Sequence, residues 1–326
     1  MESMSPFGIS VEDLAGRPTL VAIGNFDGVH LGHRAVLSQA VHDALAQGLA
    51  PVALTFEPHP TVAVGRPPPA CLTPVERKIE LIRRVHPDMR VVVQHFDAQF
   101  ASLSPEQFVR TMLVDQLHAR GVRVGENFRF GSRRSGDLST LFDMGRRFGF
   151  EAQIEPLLGD DHGRYSSTRA RECIARGDLG AVRRVLGRPH AVSGQVVEGQ
   201  RRARTLGFPT ANLSWVHEAL PPHGVYAVAV DRLDSQGRAA RLSTGVCNIG
   251  VRPTVDAGFA VEVHLFDVDE DLYGSRLRAH LIHRIRSERK FPDIEALQAQ
   301  IADDVAQARQ SLVGLSPARD ADDAWF

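Results

Sequence analysis

The ten residues 24–33, Gly-Asn-Phe-Asp-Gly-Val-His-Leu-Gly-His, constrain the fold of this chain more than any other segment. They follow an apolar run over residues 19–23, which predicts a buried strand. They precede apolar residues spaced three and four apart over 36–45, which predict an amphipathic helix that ends near Gly48. A strand, a glycine-rich turn and a helix in this order form an anion site, because unpaired N–H groups and the helix dipole point at the bound charge.

The turn itself carries residues suited to contact a phosphate. Gly28 and Gly32 have no side chain, so phosphate oxygens can approach the backbone closely. His30 and His33 carry imidazoles that can donate hydrogen bonds to those oxygens. Two other interpretations are open: the histidines could be a metal pair, although no third ligand with suitable spacing lies nearby, or they could serve only the turn. The strand–turn–helix context favours a site that handles a nucleoside triphosphate.

Bulk composition limits the remaining classes of protein. The chain has 326 residues, enough for two domains with a core each. A net charge of −1 gives no bulk attraction to nucleic acid or anionic membranes. The three cysteines are far apart, and neither a secretory segment nor a run of about 20 apolar residues is found, so we expect a reducing cytoplasmic location without a membrane partner. The sequence does not determine the oligomeric state.

Lysine is almost absent from the chain. Lys78 and Lys290 are the only two, and neither is followed by Ser or Thr. The Gly-rich phosphate loop that ends in Lys-Ser or Lys-Thr is therefore excluded. Any kinase chemistry in this chain must use another scaffold.

Up to about residue 186, strand-like and helix-like segments alternate. This order predicts a mostly parallel sheet with helices on both faces and ligands at the carboxyl ends of the strands. Ser104 and Pro105 suit the N-cap and first turn of one of the helices. The further predicted strands are 51–56, 90–96, 121–125 and 150–157, and the further predicted helices are 74–85, 104–118 and 137–148.

After residues 187–189 the pattern changes to short segments in which apolar and polar residues alternate. Gly, Pro and Asp separate these segments, as in a closed antiparallel barrel. An amphipathic helix is predicted over 293–312, and the charged segment 318–323 is predicted to be disordered. The alternating segments are 193–198, 224–230, 243–249, 260–267 and 277–286.

Three more segments of the first half carry polar or aromatic residues beside predicted element ends. Residues 55–60 end the second strand and could belong to the site or form only a loop. Residues 125–131 and the arginines after them could hold a flat heterocycle and its phosphate, or could be core phenylalanines beside solvated arginines. Residues 165–171 place hydroxyls and two arginines at a helix start, where they could cap the helix or bind a triphosphate.

The second half carries polar candidates on predicted strands. Thr210 and Asn212 are two residues apart, so both point to one face, where they could approach Mg²⁺ and phosphate. Glu262 faces opposite to its valine neighbours and could lie at a cavity mouth. There its carboxylate could take the proton of a primary alcohol that attacks a phosphate. A plain turn and an outward-facing strand glutamate are the alternatives.

Residues 24–33 resemble the His-x-Gly-His signature of the nucleotidyltransferase superfamily, and more narrowly the adenylyltransferase half of the bacterial bifunctional riboflavin kinase/FAD synthetases. Segments 125–136 and 165–171 resemble the flavin-side loop and the triphosphate loop of that family. The resemblance implies transfer of AMP from ATP to flavin mononucleotide (FMN), with His30 and His33 as catalytic residues. The residues that it assigns are Asn127, Phe130 and Arg164 for FMN, and Gly24, Phe26, Asp27, Gly28, His30, Gly32, His33, Ser167, Thr168 and Arg171 for ATP.

The second half resembles the riboflavin kinase domain of the same family, which implies a six-stranded barrel that uses Mg-ATP without a lysine-bearing phosphate loop. The resemblance assigns Glu262 as the catalytic base and Thr210 with Asn212 as the magnesium ligands. Ala203 stands where the family usually has glycine, and it would strain a loop that needs a positive φ there. The matching segments are 207–213, 245–254, 261–267, 271–274 and 286–291, and the other residues assigned to ATP or flavin are Gly207, Pro209 and Arg286.

Together these patterns predict an N-terminal Rossmann-like nucleotidyltransferase domain over residues 1–186. A C-terminal six-stranded antiparallel β-barrel riboflavin kinase domain with a terminal helix follows over 187–326. The expected function has two steps: the barrel phosphorylates riboflavin to FMN with Mg-ATP, and the first domain adenylylates FMN to FAD and releases pyrophosphate. One alternative is an adenylyltransferase for another phosphorylated acceptor, which leaves the barrel half unexplained. The other is a flavin- or nucleotide-binding regulator without turnover.

Overall fold

The computed structural model describes residues 14, 16–199, 208–251, 259–315 and 326. The chain divides into two compact units, Met1–Ser167 and Thr168–Phe326. The first unit contains a five-stranded sheet, and the second contains a closed barrel. Among the described helices, none has both the length and the apolar character needed to cross a membrane.

The main sheet of the first unit is parallel throughout. Its strands lie in the order β3-β2-β1-β4-β5, so the chain order reverses between β1 and β4. Such a reversal opens a crevice at the carboxyl end of the first strand, where open α/β sheets bind ligands. The turn 24–33 begins at that point. The strands are β1 (Thr19–Ile23), β2 (Ala50–Glu57), β3 (Arg90–His95), β4 (Ala119–Gly125) and β5 (Glu151–Glu155), and β6 (Gly159–Asp160) pairs separately with β7 (Gly163–Arg164).

Helices cover both faces of this sheet because successive residues of β1 point to opposite sides. Leu20 and Ala22 pack with apolar residues of α1 and α3 on one face. Val21 and Ile23 pack on the other face with the segment that follows Ser104 and with α6. The helices of this unit are α1 (Leu31–Ala46), α2 (Pro60–Ala63), α3 (Val75–Arg83), α4 (Ala98–Ala101), α5 (Pro105–Phe108), a π-helical segment (Val109–Gln116), a 3₁₀ turn (Ser132–Arg134) and α6 (Leu138–Phe148).

The predicted helix over 104–118 forms with one change of geometry. Ser104 is the N-cap, as predicted: its side chain accepts a hydrogen bond from the backbone N–H of Gln107, and the Gln107 side chain accepts one from Ser104. After α5 the hydrogen bonding widens to the π pattern until Gln116. No feature of the sequence indicated that widening.

The barrel of the second unit closes in the strand order β10-β11-β12-β9-β8-β13. Alternate residues of each strand, among them Val192, Tyr226 and Val263, form its apolar interior. The predicted fold class, a Rossmann-like half followed by a six-stranded antiparallel barrel and a terminal helix, is confirmed. The elements are α7 (Ser167–Arg176), α8 (Leu179–Leu186), β8 (His190–Val197), β9 (Ala211–Ser214), β10 (Gly224–Leu233), β11 (Ala239–Val251), β12 (Phe259–Leu265), β13 (Arg276–Ser287) and α9 (Ile294–Ser311).

Helix α9 covers part of the outer face of the barrel, where Ala308 and Leu312 pack with Val225 and Ala227 of β10. Further along α9, Arg309 donates two hydrogen bonds of 3.0 Å to the carboxylate of Asp267. Three sequence predictions lie outside the described residues: the roles of Ala203 and Gly207, and the disorder of segment 318–323.

Candidate active sites

The turn after β1 brings two histidines together at the start of α1. His30 is the N-cap of the helix, and its Nδ1 accepts a hydrogen bond of 3.2 Å from the backbone N–H of His33. The two imidazoles are stacked, with ring centroids 3.6 Å apart. Because Nδ1 of His30 accepts a hydrogen bond, the proton of the neutral ring is on Nε2. His30 therefore carries an N–H donor at the helix N-terminus, where negative charge is favoured.

The backbone of this turn is strained. Phe26 and Val29 have φ values of 48° and 39°, which cost side-chain-bearing residues roughly 1–3 kcal/mol each, whereas Gly28 at 83° is unstrained. Phe26 is buried, and its ring meets the edge of the His33 ring at a centroid distance of 5.2 Å. The strained turn therefore places Phe26 beneath the histidine pair.

Asp27, a predicted ATP contact, holds the turn through the backbone of a distant segment. Its buried carboxylate accepts hydrogen bonds from the N–H groups of Leu72, at 3.1 Å, and Thr73, at 3.0 Å. The hydroxyl of Thr73 in turn accepts a hydrogen bond of 3.0 Å from the N–H of Gly28. These contacts give Asp27 a structural role, and its contact with ATP stays a prediction.

Gly24 and Gly32 make room for aromatic rings. A Cβ on Gly24 would lie 2.8 Å from the Phe26 ring, and a Cβ on Gly32 would lie 3.2 Å from Nδ1 and Cε1 of His30. The first distance is not tolerated and the second requires the ring to move by a few tenths of an ångström. The glycine pattern is therefore needed to seat Phe26 and His30.

Two polar atoms of the turn are incompletely satisfied. Within the residues that the structure describes, Asn25 Oδ1 and His33 Nδ1 are buried and have no hydrogen-bond partner. Leaving such an atom unpaired costs about 1–3 kcal/mol, so a ligand that reaches them is favoured. Burial, then the His30 imidazole, then the Lys78 ammonium lower the pKa of His33 well below its usual value. Sequence reasoning missed Asn25 and Lys78 as site residues, although Asn25 lies within the same decapeptide.

Two hydroxyls bind backbone carbonyls of the turn. Thr55, at the end of β2, donates a hydrogen bond of 3.0 Å to the carbonyl of Asn25. Ser167 donates one of 2.8 Å to the carbonyl of Asp27. The segment 55–60 is thus connected to the turn through its first residue. The other residues of the predicted triphosphate loop, Thr168 and Arg171, lie on α7 in the second compact unit.

The predicted flavin-side loop contains one buried and one accessible phenylalanine. Phe130 is buried, with the Phe128 ring stacked on it at 5.4 Å and the Phe108 ring at 5.7 Å. The Cα of Gly136 closes on the same ring, because a Cβ there would lie 2.9 Å from it. Phe130 is enclosed on these sides, and the half-buried Phe128 is the ring that a ligand can reach.

The two polar residues predicted to bind FMN are at the surface. Asn127 is exposed in the loop after β4. Arg164 is exposed on β7, and its guanidinium lies 3.5 Å from the carboxylate of Glu126. An exposed ion pair of this kind contributes little stability, so the guanidinium can exchange Glu126 for a phosphate at small cost.

In the barrel unit, Thr210 and Asn212 line a cavity of about 480 Å³. Gly199 faces the Asn212 amide so closely that a Cβ there would overlap it. Pro209 also lines the cavity, together with three carboxylates and a tyrosine from one connection: Asp269, Glu270, Asp271 and Tyr273. The cavity therefore combines apolar walls with hydroxyl, amide and carboxylate oxygens.

Glu262 is not among the residues that line this cavity, and it lies at the centre of three strands. In cross-strand register it is paired with Asn212 of β9 on one side and Asn248 of β11 on the other. Its neighbours Val261 and Val263 point into the barrel interior, so Glu262 faces outward with the two amides. Sequence reasoning did not select Asn248, although it lies in one of the matching segments.

His264 connects the strand of Glu262 to the segment before Thr210. Its Nδ1 is 2.8 Å from the carbonyl oxygen of Pro209, and its ring meets the edge of Phe208 at 5.6 Å. Since Glu262 and His264 are two residues apart on β12, they lie on one face of the strand. His264 thereby fixes Thr210 relative to Glu262.

Arg286, predicted to contact ATP or flavin, binds an acidic residue of α9. Its Nε and Nη2 donate to both carboxylate oxygens of the buried Asp304, at 2.8–3.0 Å, and its Nη1 donates to the carbonyl of Ser287. A bidentate pair of this kind is a strong structural contact. A substrate contact of Arg286 stays a prediction.

Comparison with known proteins places both halves of the chain. A family model described as FAD synthetase matches residues 13–169, and one described as riboflavin kinase matches residues 186–312. A bifunctional riboflavin kinase/FMN adenylyltransferase of Haemophilus influenzae is 38% identical over 291 residues, which cover 89% of this chain and 92% of the relative. The chain belongs to this family. The enzyme of the same name from Bacillus subtilis is 36% identical, over 89% of this chain and 91% of its own.

A solved structure extends the similarity to the fold. A protein of Streptococcus pneumoniae, described as a macrolide-efflux protein, matches 90% of this chain and 94% of its own, with a TM-score of 0.76 and 28% sequence identity. Efflux is the activity that this description gives for the Streptococcus pneumoniae protein. The similarity places this chain among proteins with the same two-part fold.

Proposed function

We propose that this chain performs both reactions named for its family, with residues 1–186 as the FMN adenylyltransferase and residues 187–326 as the riboflavin kinase. The observation that carries the proposal is the match of the two family models to successive parts of the chain, 13–169 and 186–312. These ranges also support a functional boundary near residue 186. The compact units divide earlier, after Ser167.

In the adenylyl step, a phosphate oxygen of FMN attacks the α-phosphorus of ATP, the bond to the bridging oxygen breaks, and pyrophosphate leaves. His30 donates from Nε2 to the crowded α-phosphate, and the N-terminus of α1 adds positive potential. A donor of this kind contributes about 10²–10³ in rate. His33 provides a second ATP contact in this proposal, and the ATP contacts of Thr168 and Arg171 stay predictions from the sequence. Its FMN contacts are Asn127, Phe128 and Arg164, with Phe130 supporting the Phe128 ring from below.

In the kinase step, the primary alcohol of riboflavin attacks the γ-phosphorus of ATP and ADP leaves. Glu262 takes the proton of that alcohol, a role worth about 10²–10⁴ in rate. The hydroxyl and amide oxygens of Thr210 and Asn212, with the nearby carboxylate of Asp271, are hard donors of the kind that Mg²⁺ takes. These residues would hold the ion, which neutralises phosphate charge when bound.

The partners in this proposal are small molecules only: ATP, riboflavin, FMN and FAD. We place the enzyme in the cytoplasm, without a nucleic acid or membrane partner. The three cysteines support that location, because none of them forms a disulfide bond: Cys71, Cys173 and Cys247.

Two single substitutions test the proposal by separating the steps. Purified variants are incubated with riboflavin and Mg-ATP, and the flavins are resolved by chromatography. His30→Ala should accumulate FMN without FAD, and Glu262→Ala should convert supplied FMN to FAD but leave riboflavin unphosphorylated. His42→Ala, which removes an exposed histidine of α1, is the control and should perform both steps. FAD synthesis at the normal rate by His30→Ala would refute the adenylyl assignment, and riboflavin phosphorylation by Glu262→Ala would refute that of the base.

A further inference from the structure

A buried lysine lies at the edge of the sheet where the histidine turn begins. Lys78, on α3, is only 4% exposed. Its Nζ is 3.4 Å from the carbonyl oxygen of Phe56 and 3.8 Å from the carboxylate of Glu57, both at the carboxyl end of β2. Glu57 is half exposed and stands beyond hydrogen-bond distance, so water weakens its hold on the ammonium.

The end of β2 is directly connected to the histidine turn. Strand β2 pairs with β1 up to Ile23 and Leu54, and the next residue, Thr55, donates its hydrogen bond to the Asn25 carbonyl. The Lys78 ammonium is close enough to contribute, after burial and His30, to the lowered pKa of His33. The ammonium therefore lies at the strand end that adjoins the histidine turn.

Composition supports a specific need for lysine at this position. Of the 38 lysine and arginine residues, all but Lys78 and Lys290 are arginine. The neighbouring Arg77 is also buried, but its guanidinium contacts the carboxylate of Glu80 at 2.5 Å. Lysine differs from arginine in carrying a compact point charge on a flexible stem. Of the two lysines of the chain, Lys78 is thus the buried one, and its ammonium lies at the carboxyl end of β2.

We propose that Lys78 is a positioning residue of the adenylyl-transfer site, whose buried ammonium supplies a fixed positive charge at the strand end beside the histidine turn and favours the N-cap arrangement of the two imidazoles. The reason lies in the N-cap: protonation of His30 at Nδ1 would remove the acceptor for the His33 N–H. A positive charge on the His33 ring, which is stacked on the His30 ring, would destabilise the stacked pair further. This inference rests on the proposed adenylyl transfer at the turn.

Asp27 and Glu57 are acidic residues in and beside the histidine turn. The Asp27 carboxylate is engaged by the backbone N–H groups of residues 72 and 73. Glu57 opposes Lys78 from the solvent side. Lys78 and Glu57 are thus the two groups whose removal should move the His33 titration in opposite directions.

The test measures FAD formation from FMN and ATP as a function of pH. Lys78→Met should lower kcat/KM about tenfold and move the acid limb of the profile to higher pH, because His33 then takes a proton more readily. Lys78→Arg should keep the limb near its original position. Glu57→Gln, a substitution of a half-exposed residue, should move the limb to lower pH. Arg77→Met, which removes an equally buried but paired cation from the same helix, should leave the limb in place.

Urea unfolding followed by circular dichroism on the same samples reports whether the first unit of each variant is folded. A Lys78→Met profile that coincides with that of Arg77→Met would overturn the proposal, and so would a Glu57→Gln limb that stays in place or moves to higher pH. If Lys78→Met does not fold, Glu57→Gln alone decides. The two proposals fail separately: FAD synthesis by His30→Ala refutes the proposed function, whereas unmoved pH limbs with an inactive His30→Ala refute only the role of Lys78.

Discussion

Replacing Gly32 by alanine should separate the stability of the first unit from its activity. Gly32 is the second residue of α1, where alanine is favoured over glycine by about 1 kcal/mol. The new Cβ would lie 3.2 Å from Nδ1 and Cε1 of the His30 ring, which must then move by a few tenths of an ångström. That movement weakens the N-cap bond to His33, and loss of an N-cap costs about 0.5–2 kcal/mol.

The two effects on stability nearly cancel, so the free energy of unfolding should change by no more than about 1 kcal/mol. The effect on catalysis has no such compensation. A donor displaced by about 1 Å can cost 10²-fold in rate, so a shift of a few tenths should slow FAD formation about tenfold. Riboflavin phosphorylation by the barrel should be unchanged.

The assay follows pyrophosphate release from FMN and ATP, with unfolding by urea measured on the same preparation. Gly180→Ala is a matched control, because Gly180 is the second residue of α8 and a Cβ there would meet no atom closer than 3.5 Å. That variant should keep both activities. A Gly32→Ala enzyme that forms FAD at the normal rate would show that the close packing of His30 on Gly32 does not matter for the reaction.

Three further predictions follow from contacts in the two units. Because the pKa of His33 is lowered, its ring stays neutral at pH 6.5, so FAD formation should persist there and decline only at lower pH; a decline centred above pH 6.5 would contradict this. Asp304→Ala, which leaves Arg286 unpaired, should lower the free energy of unfolding in urea by about 3 kcal/mol, and an unchanged value would refute the structural role of the pair. His264→Phe, which removes the contact with the Pro209 carbonyl, should raise the KM for ATP in riboflavin phosphorylation severalfold without affecting FAD formation; an unchanged KM would count against this role of His264.

The layers of the fold could be predicted because local periodicity reports burial. Strand β1 is buried at every position and apolar from Leu20 to Ile23, as expected for a strand covered on both faces, and Leu20 and Val21 belong to different layers. Strand β8 alternates between buried and half-buried residues along its whole length, as expected in a barrel. The capping role of Ser104 was likewise readable from residues within one helical turn.

The contacts that shape the site could not be predicted in the same way, since they join residues far apart in the chain. Asp27 binds backbone groups 45 and 46 residues away, and nothing in its local sequence indicates those partners. The sequence distinguished Lys78 only by the scarcity of lysine in the chain. Its position near the histidine turn depends on how α3 packs. Phe130 was predicted to contact FMN. It is buried between other rings, and that burial depends on how residues near Phe108 pack.

Mixing two variants that each lack one step would decide most directly whether the turn and the barrel catalyse separate reactions. Neither His30→Ala nor Glu262→Ala alone should form FAD from riboflavin and Mg-ATP. Their mixture should form it, since FMN released by the first protein is a substrate for the second. FAD from either variant alone, or a mixture that forms FMN but never FAD, would contradict the assignment of adenylyl transfer to the histidine turn and of phosphorylation to Glu262.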